Sequence, residues 1–148
     1  FSTLHTIDAS RTVDRIIGAF DAGDQQAIRT RLASSFRAFV SQRLVPKIGG
    51  GRIAVLEILT STLRTRDYID KGDTQGRSLL DAMKDGAMDG MLHFDGEIER
   101  LVREGVIAGA VGLLHATNPG NMRVMMADIS LDDPPVEDNG IEHGLISG

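Results

Sequence analysis

The chain has 148 residues, a formal net charge of −5, 41% hydrophobic and 25% charged residues, and no cysteine. That length suits one compact domain, the composition excludes disordered, collagen-like and disulfide-framework chains, and the missing thiols exclude disulfides, thiolate zinc sites and thiol catalysis. Asp128, Asp132, Asp133, Glu137, Asp138 and Glu142 face no Lys or Arg after Arg123, which leaves 15 of the 21 acidic residues against 16 basic ones; so balanced a body lacks the clustered basic face that nucleic acid requires.

Phe1 is not an initiator methionine and no signal peptide precedes it, so the sequence reads as a piece of a longer protein. Phe1-Ser2-Thr3-Leu4-His5-Thr6 reads as the exit of a buried strand, with Asp8 or Ser10 placed to cap a following helix. Val13, Ile16, Ile17 and Phe20 recur at helical spacing, and after a Gly-containing break Asp24 is expected to cap a second helix whose inner face is Ile28, Leu32 and Phe36. Phe39 to Val45 and Arg52 to Leu59 are strand-length segments joined around Gly49-Gly50-Gly51, which predicts a hairpin. Pro46 suits a strand terminus, where its missing N–H leaves no ladder bond unmade.

The remainder is helical in period. Short helices are expected from Thr62 to Lys71 and from Gln75 to Lys84, stopped by Gly72 and Gly86. Phe94, Ile98, Leu101 and Val102 mark a further helix closed by Gly105, and Ile107 to His115 a last one before the turn tripeptide Asn118-Pro119-Gly120. The stretch from Asp128 onward is too acidic and too poor in apolar residues to pack, and is expected to be a solvated or disordered tail. Val106 to Leu114 is the longest weakly polar stretch and falls short of the roughly 18 residues a bilayer span needs, so no direct membrane insertion is expected.

Four segments, in order, carry a resemblance: Ser2-Thr3-Leu4-His5-Thr6 with its following helix; Ser41-Gln42-Arg43-Leu44-Val45-Pro46 with Gly51 to Leu59; Arg66-Asp67-Tyr68-Ile69-Asp70-Lys71-Gly72; and Met91-Leu92-His93-Phe94-Asp95 through Gly105 and Ile107 to Ala116-Thr117-Asn118-Pro119. Together they resemble the motor ATPases of type IV pili, from the histidine box of those enzymes onward. Secretion and pilus-assembly members usually place a four-cysteine zinc module after the Gln-Arg-Leu strand, whereas only Pro46 to Gly51 stands here; the resemblance is therefore to the retraction branch, its accessory paralogue included. In that branch's Ala-Ile-Arg-Asn-Leu motif, Arg64 and Thr65 replace the Ala-Ile pair, while Arg66, Ile69 and Gly72 fit.

The resemblance implies an α/β fold: the C-terminal part of a RecA-like P-loop ATPase domain, with about three strands plus a helical C-terminal subdomain, over residues 1–127, followed by the acidic tail at 128–148. It implies ATP and Mg²⁺ as cofactors of the complete protein, a homo-hexamer closed by head-to-tail interfaces, an inner-membrane pilus platform protein as partner, and a cytoplasmic place at the inner-membrane face. By the same resemblance His5 is the catalytic-site candidate, lying near the γ-phosphate as a nucleotide sensor, with Thr3 and Thr6 beside it. Arg66, Asp67, Ile69 and Gly72 would form the retraction motif.

Each candidate has an ordinary reading beside it. His5 could be a strand-end residue held by local hydrogen bonds, and Arg66 a solvated helix charge near Asp67 and Asp70. Phosphoryl transfer needs backbone amides and a Lys around the phosphates, and no G-x-x-x-x-G-K-[ST] occurs. Gly49-Gly50-Gly51-Arg52 cannot replace it, because it joins two strands instead of opening a helix; the chain alone is expected to bind no nucleotide and to be inactive. His93, His115 and His143 are widely separated and predict no metal site. The six methionines read as core or subunit interface. A non-catalytic module that docks on a pilus or secretion motor is the rival reading, and an assembly or secretion ATPase the second rival. Without its central parallel strands, such a piece is expected to self-associate.

Overall fold

The computed structural model describes residues 2–74 and 77–129. Helix α1 (Ala9–Gly18) begins where Asp8, in extended backbone, accepts the Arg11 N–H on its side chain and so satisfies a first-turn amide that has no partner inside the helix. Val13 and Ile17 are buried as their spacing requires, but Phe20 lies past the helix end and is exposed. Asp24 precedes helix α2 (Gln25–Ser35) without making a side-chain cap bond. Its backbone is already helical, and a capping side chain reaches the first-turn amides from extended backbone.

Strands β1 (Ala38–Pro46) and β2 (Arg52–Thr60) form the expected hairpin, in continuous antiparallel register from Ala38↔Thr60 to Pro46↔Arg52. The glycine run between them has φ of 82°, 94° and 75° at Gly49, Gly50 and Gly51, a region that Cβ-bearing residues resist. The sheet has two strands where about three were expected. Ser2 to Thr6 forms no regular element and is exposed apart from half-buried Thr6, because no described strand offers this segment a ladder. The only extension of the sheet among the described residues is at Leu92, which exchanges backbone bonds of 2.9 and 3.0 Å with Ile58.

Helix α3 (Leu63–Lys71) opens on a reciprocal capping box between Thr62 and Thr65, and helix α4 (Leu79–Asp85) on another between Ser78 and Asp81. The second box explains why α4 starts later than Gln75, which with Gly76 lies outside the described residues. Helix α5 (Phe94–Arg103) ends before Gly105, whose φ of 69° closes it. Helix α6 (Gly109–His115) is followed by an element the sequence reading missed: Asn118-Pro119-Gly120 opens helix α7 (Pro119–Met125). Asn118 accepts the Asn121 N–H, and Pro119 takes the first helical position, where its absent donor has no bond to lose. The folded body continues to Asp128, which ion-pairs with Arg103 at 2.9 Å, and to Ile129, which packs on the core; the rest of the expected tail, 130–148, lies outside the described residues.

Strand alternation divides the hairpin into two faces. The inner face feeds two apolar clusters. One joins Leu59 to Val13, Ile17, Phe36, Ile69 and Met83; the other joins Val45 and Val55 to Phe94, Ile98, Ile107, Met122 and Met126. Four of the six methionines, Met83, Met91, Met122 and Met126, are core residues, whereas Met88 is fully exposed. Glu57 stands between Val55 and Leu59 on the same face and is 3% exposed, so a carboxylate marks the seam of the two clusters. The outer face is exposed along β1, with Val40 64% and Leu44 51% exposed, while Leu56 and Ile58 of β2 are half-buried.

Candidate functional site

The segment carrying His5 borders an open groove of about 890 Å³ whose other walls come from α1, the end of α2 and the first half of β1. Thr3 and His5 are exposed. Thr6 is tied down: its hydroxyl lies 2.6 Å from that of Thr12, which donates in turn to the Asp8 carbonyl at 2.9 Å. Groove polarity is mixed, since its lining includes Phe36 and Phe39, stacked at 5.3 Å, together with Ser2 and Thr3.

Arg66, Asp67, Ile69 and Gly72 all lie on α3 or its C-cap, and none of them lines that groove. Arg66 is half-buried and donates from Nε to the Ser61 hydroxyl at 2.8 Å. Asp67 pairs with Lys71 and Arg77, and these cations hold its carboxyl below the usual range. Ile69 is a core residue. Gly72 has φ of 80° and approaches the Arg29 guanidinium, which donates to the Ile69 carbonyl at 3.2 Å. The structure thus gathers the histidine-box residues in one place and the α3 residues in another.

Thr65 and Arg64, which depart from the retraction motif, both have local partners. The Thr65 hydroxyl, fully buried, donates to the Thr60 carbonyl at 2.8 Å and accepts the Thr62 N–H at 2.8 Å. Arg64 pairs with Asp85 at 2.9 Å and donates to the Tyr68 hydroxyl.

A second hollow, about 470 Å³, opens where the N-termini of α1, α5 and α7 meet; the sequence reading weighed its His93 only as a metal ligand and did not single out its Glu57 or Asp95. Glu57 accepts the Ala9 N–H at 2.6 Å; burial raises its pKa above the ordinary 4.5, against the lowering pull of that bond and of Arg43. His93 caps α5 by accepting the Gly96 N–H on Nδ1 at 3.1 Å, and burial, with Lys84 nearby, lowers its pKa. Asp95 clamps the α6–α7 joint by accepting the N–H groups of Thr117 at 2.6 Å and Asn118 at 3.0 Å. A Glu at an inward strand position was the available signal for the first; nothing local announces the third, whose partners lie more than twenty residues away. Among the described residues no three His, Asp or Glu side chains are placed to hold a metal ion, and no described helix is long and apolar enough to cross a membrane.

No protein-family model matches the chain. Curated relatives do. The twitching motility protein of Neisseria gonorrhoeae is 38% identical over 124 residues, covering 82% of this chain and 32% of that protein. The type IV pilus retraction ATPase PilT of Pseudomonas aeruginosa is 35% identical over 108 residues, covering 73% of this chain and 31% of its own length. The chain is a homologue of the pilus-retraction ATPases. Its backbone agrees: a crystal structure of the pilus retraction motor PilT with bound ADP superimposes with a TM-score of 0.65 at 26% identity, over 80% of this chain and 32% of that one. The α/β fold is accordingly that of the C-terminal part of a retraction-type ATPase, and the chain spans about a third of the length of the curated relatives it matches.

Proposed function

We propose that this chain is the C-terminal part of a hexameric, ATP-hydrolysing motor that powers type IV pilus retraction and twitching motility. The observation that carries this reading is the agreement of sequence and backbone with a retraction motor whose crystal structure contains ADP. Nucleotide and Mg²⁺ are used by the complete protein, whose phosphate grip must come from polypeptide outside these 148 residues. The working assembly sits at the cytoplasmic face of the inner membrane against a pilus platform protein.

In this reading His5 reports the state of the nucleotide. Its exposed position in an open groove leaves the ring free to meet a phosphate held by other parts of the motor. A neutral imidazole can donate to an anionic oxygen and turn away when that oxygen leaves. Arg66 on α3 serves a contact between subunits, with Asp67, Ile69 and Gly72 fixing the helix that presents it.

The test is His5→Ala in the full-length motor. Nucleotide binding should persist while ATP turnover falls by on the order of 100-fold, the loss seen when one donor to a developing oxyanion is removed. Unchanged turnover would overturn the sensor role.

A further inference from the structure

Arg43 lies on the inner face of β1 and touches three elements distant in sequence. Its guanidinium carbon sits 3.8 Å from the Phe94 ring centroid at the start of α5. Nη1 donates to the His115 carbonyl at the end of α6 at 2.9 Å, and Nη2 to the Ile7 carbonyl, just before α1, at 3.4 Å. Only a planar fork can stack on a ring and reach two divergent carbonyls at once; a Lys ammonium offers a single point of charge. Of the two hydrogen bonds the one to His115 is the shorter and the one to Ile7 the longer, so a displacement of the N-terminal segment loosens the Ile7 bond first.

We infer that Arg43 is a positioning residue that couples the His5 segment to the α6–α7 end of the molecule. The path is short and physical. Ile7 adjoins Thr6, which is anchored to α1 by the Thr6–Thr12 hydroxyl contact. On the far side, the His115 carbonyl lies one residue before Ala116 and two before Thr117, whose N–H is held by Asp95 in the joint leading to α7. A shift in the segment before α1 therefore changes the load on the last turn of α6. The meaning of this coupling in a motor rests on the sensor role proposed for His5, but the coupling itself needs no nucleotide to be measured.

Contact alone does not demonstrate coupling, so the test is a cycle of substitutions. Thr6→Ala removes the 2.6 Å hydroxyl contact and should speed amide hydrogen exchange across Gly109–Met125 several-fold. In an Arg43→Lys background, which keeps the charge and loses the fork, the same Thr6→Ala change should leave exchange in that region unaltered. Equal acceleration in both backgrounds, or none in either, overturns the inference. A second readout leaves Arg43 in place: its Nη–H signals in NMR should be resolved in the parent protein and merge on Thr6→Ala, and signals indifferent to Thr6→Ala overturn it as well. Failure of His5→Ala to alter turnover would remove the sensor role and leave these results standing.

Discussion

The Glu57 carboxylate accepts the Ala9 N–H at 2.6 Å, joining the middle of β2 to the first turn of α1 across the seam between the two apolar clusters. Buried carboxylates are uncommon because burial disfavours the charge, and here it raises the pKa against the lowering bond from Ala9. Below pH 4.5 the folded and unfolded chains both hold the proton; as pH rises the unfolded chain ionises first. Stability should therefore decline from pH 4.5 upward until the raised folded value is passed, and then level off. Glu57→Gln keeps the acceptor and should flatten that decline in urea midpoints taken between pH 4 and 8. Glu57→Ala leaves the Ala9 N–H without its buried partner and should cost about 1–3 kcal/mol. An identical pH profile for the parent and Glu57→Gln would contradict this account.

His93 behaves in the opposite sense. Nδ1 accepts the Gly96 N–H, so the ring must be free of the second proton to cap α5, and burial lowers its pKa. Above pH 6.5 both states are neutral; as pH falls the unfolded chain protonates first. Stability should fall below pH 6.5 until the lowered folded value is reached. His93→Asn retains a capping acceptor and should remove this acid-side loss, measurable in the same series. Gly96 supports the cap sterically, because a Cβ there would lie 2.7 Å from His93 Nε2. Gly96→Ala should thus destabilise by about 1–3 kcal/mol through overpacking, against the roughly 1 kcal/mol that Ala normally gains over Gly inside a helix.

Thr65 and Arg66 are neighbours with separable roles. Thr65→Ala removes a fully buried hydroxyl that bonds the Thr60 carbonyl and the Thr62 amide, and should cost about 1–3 kcal/mol in thermal or urea unfolding. Arg66→Ala gives up its bond to the Ser61 hydroxyl and should stay within about 0.5 kcal/mol of the parent. Loss of twitching in cells carrying Arg66→Ala, with stability kept, would fit the proposed contact between subunits. Normal twitching would make Arg66 an ordinary helix-face charge.

The hairpin was legible in the sequence because β-branched runs around three glycines leave few other options, and α1, α3 and α5 were legible from apolar period and capping residues. Asn118-Pro119-Gly120 shows the limit of local reading: the same residues that make a turn also make a helix N-cap, and the choice fell to Met122 and Met126, which are fully buried in the second cluster. Ser2 to Thr6 failed as a strand for a complementary reason, since strand formation depends on a ladder that no local pattern can reveal. At the site, His5 and the α3 residues could be named from motif likeness alone. Glu57 and Asp95 could not, because their partners at Ala9, Thr117 and Asn118 are brought to them only by folding.

Val40 and Leu44 stand bare on the outer face of a nine-residue strand. Anyone producing these 148 residues by themselves should therefore anticipate material that clumps during purification. Threonine at both positions offers a remedy: it carries the β-branching that strands favour while lowering the stickiness of the surface.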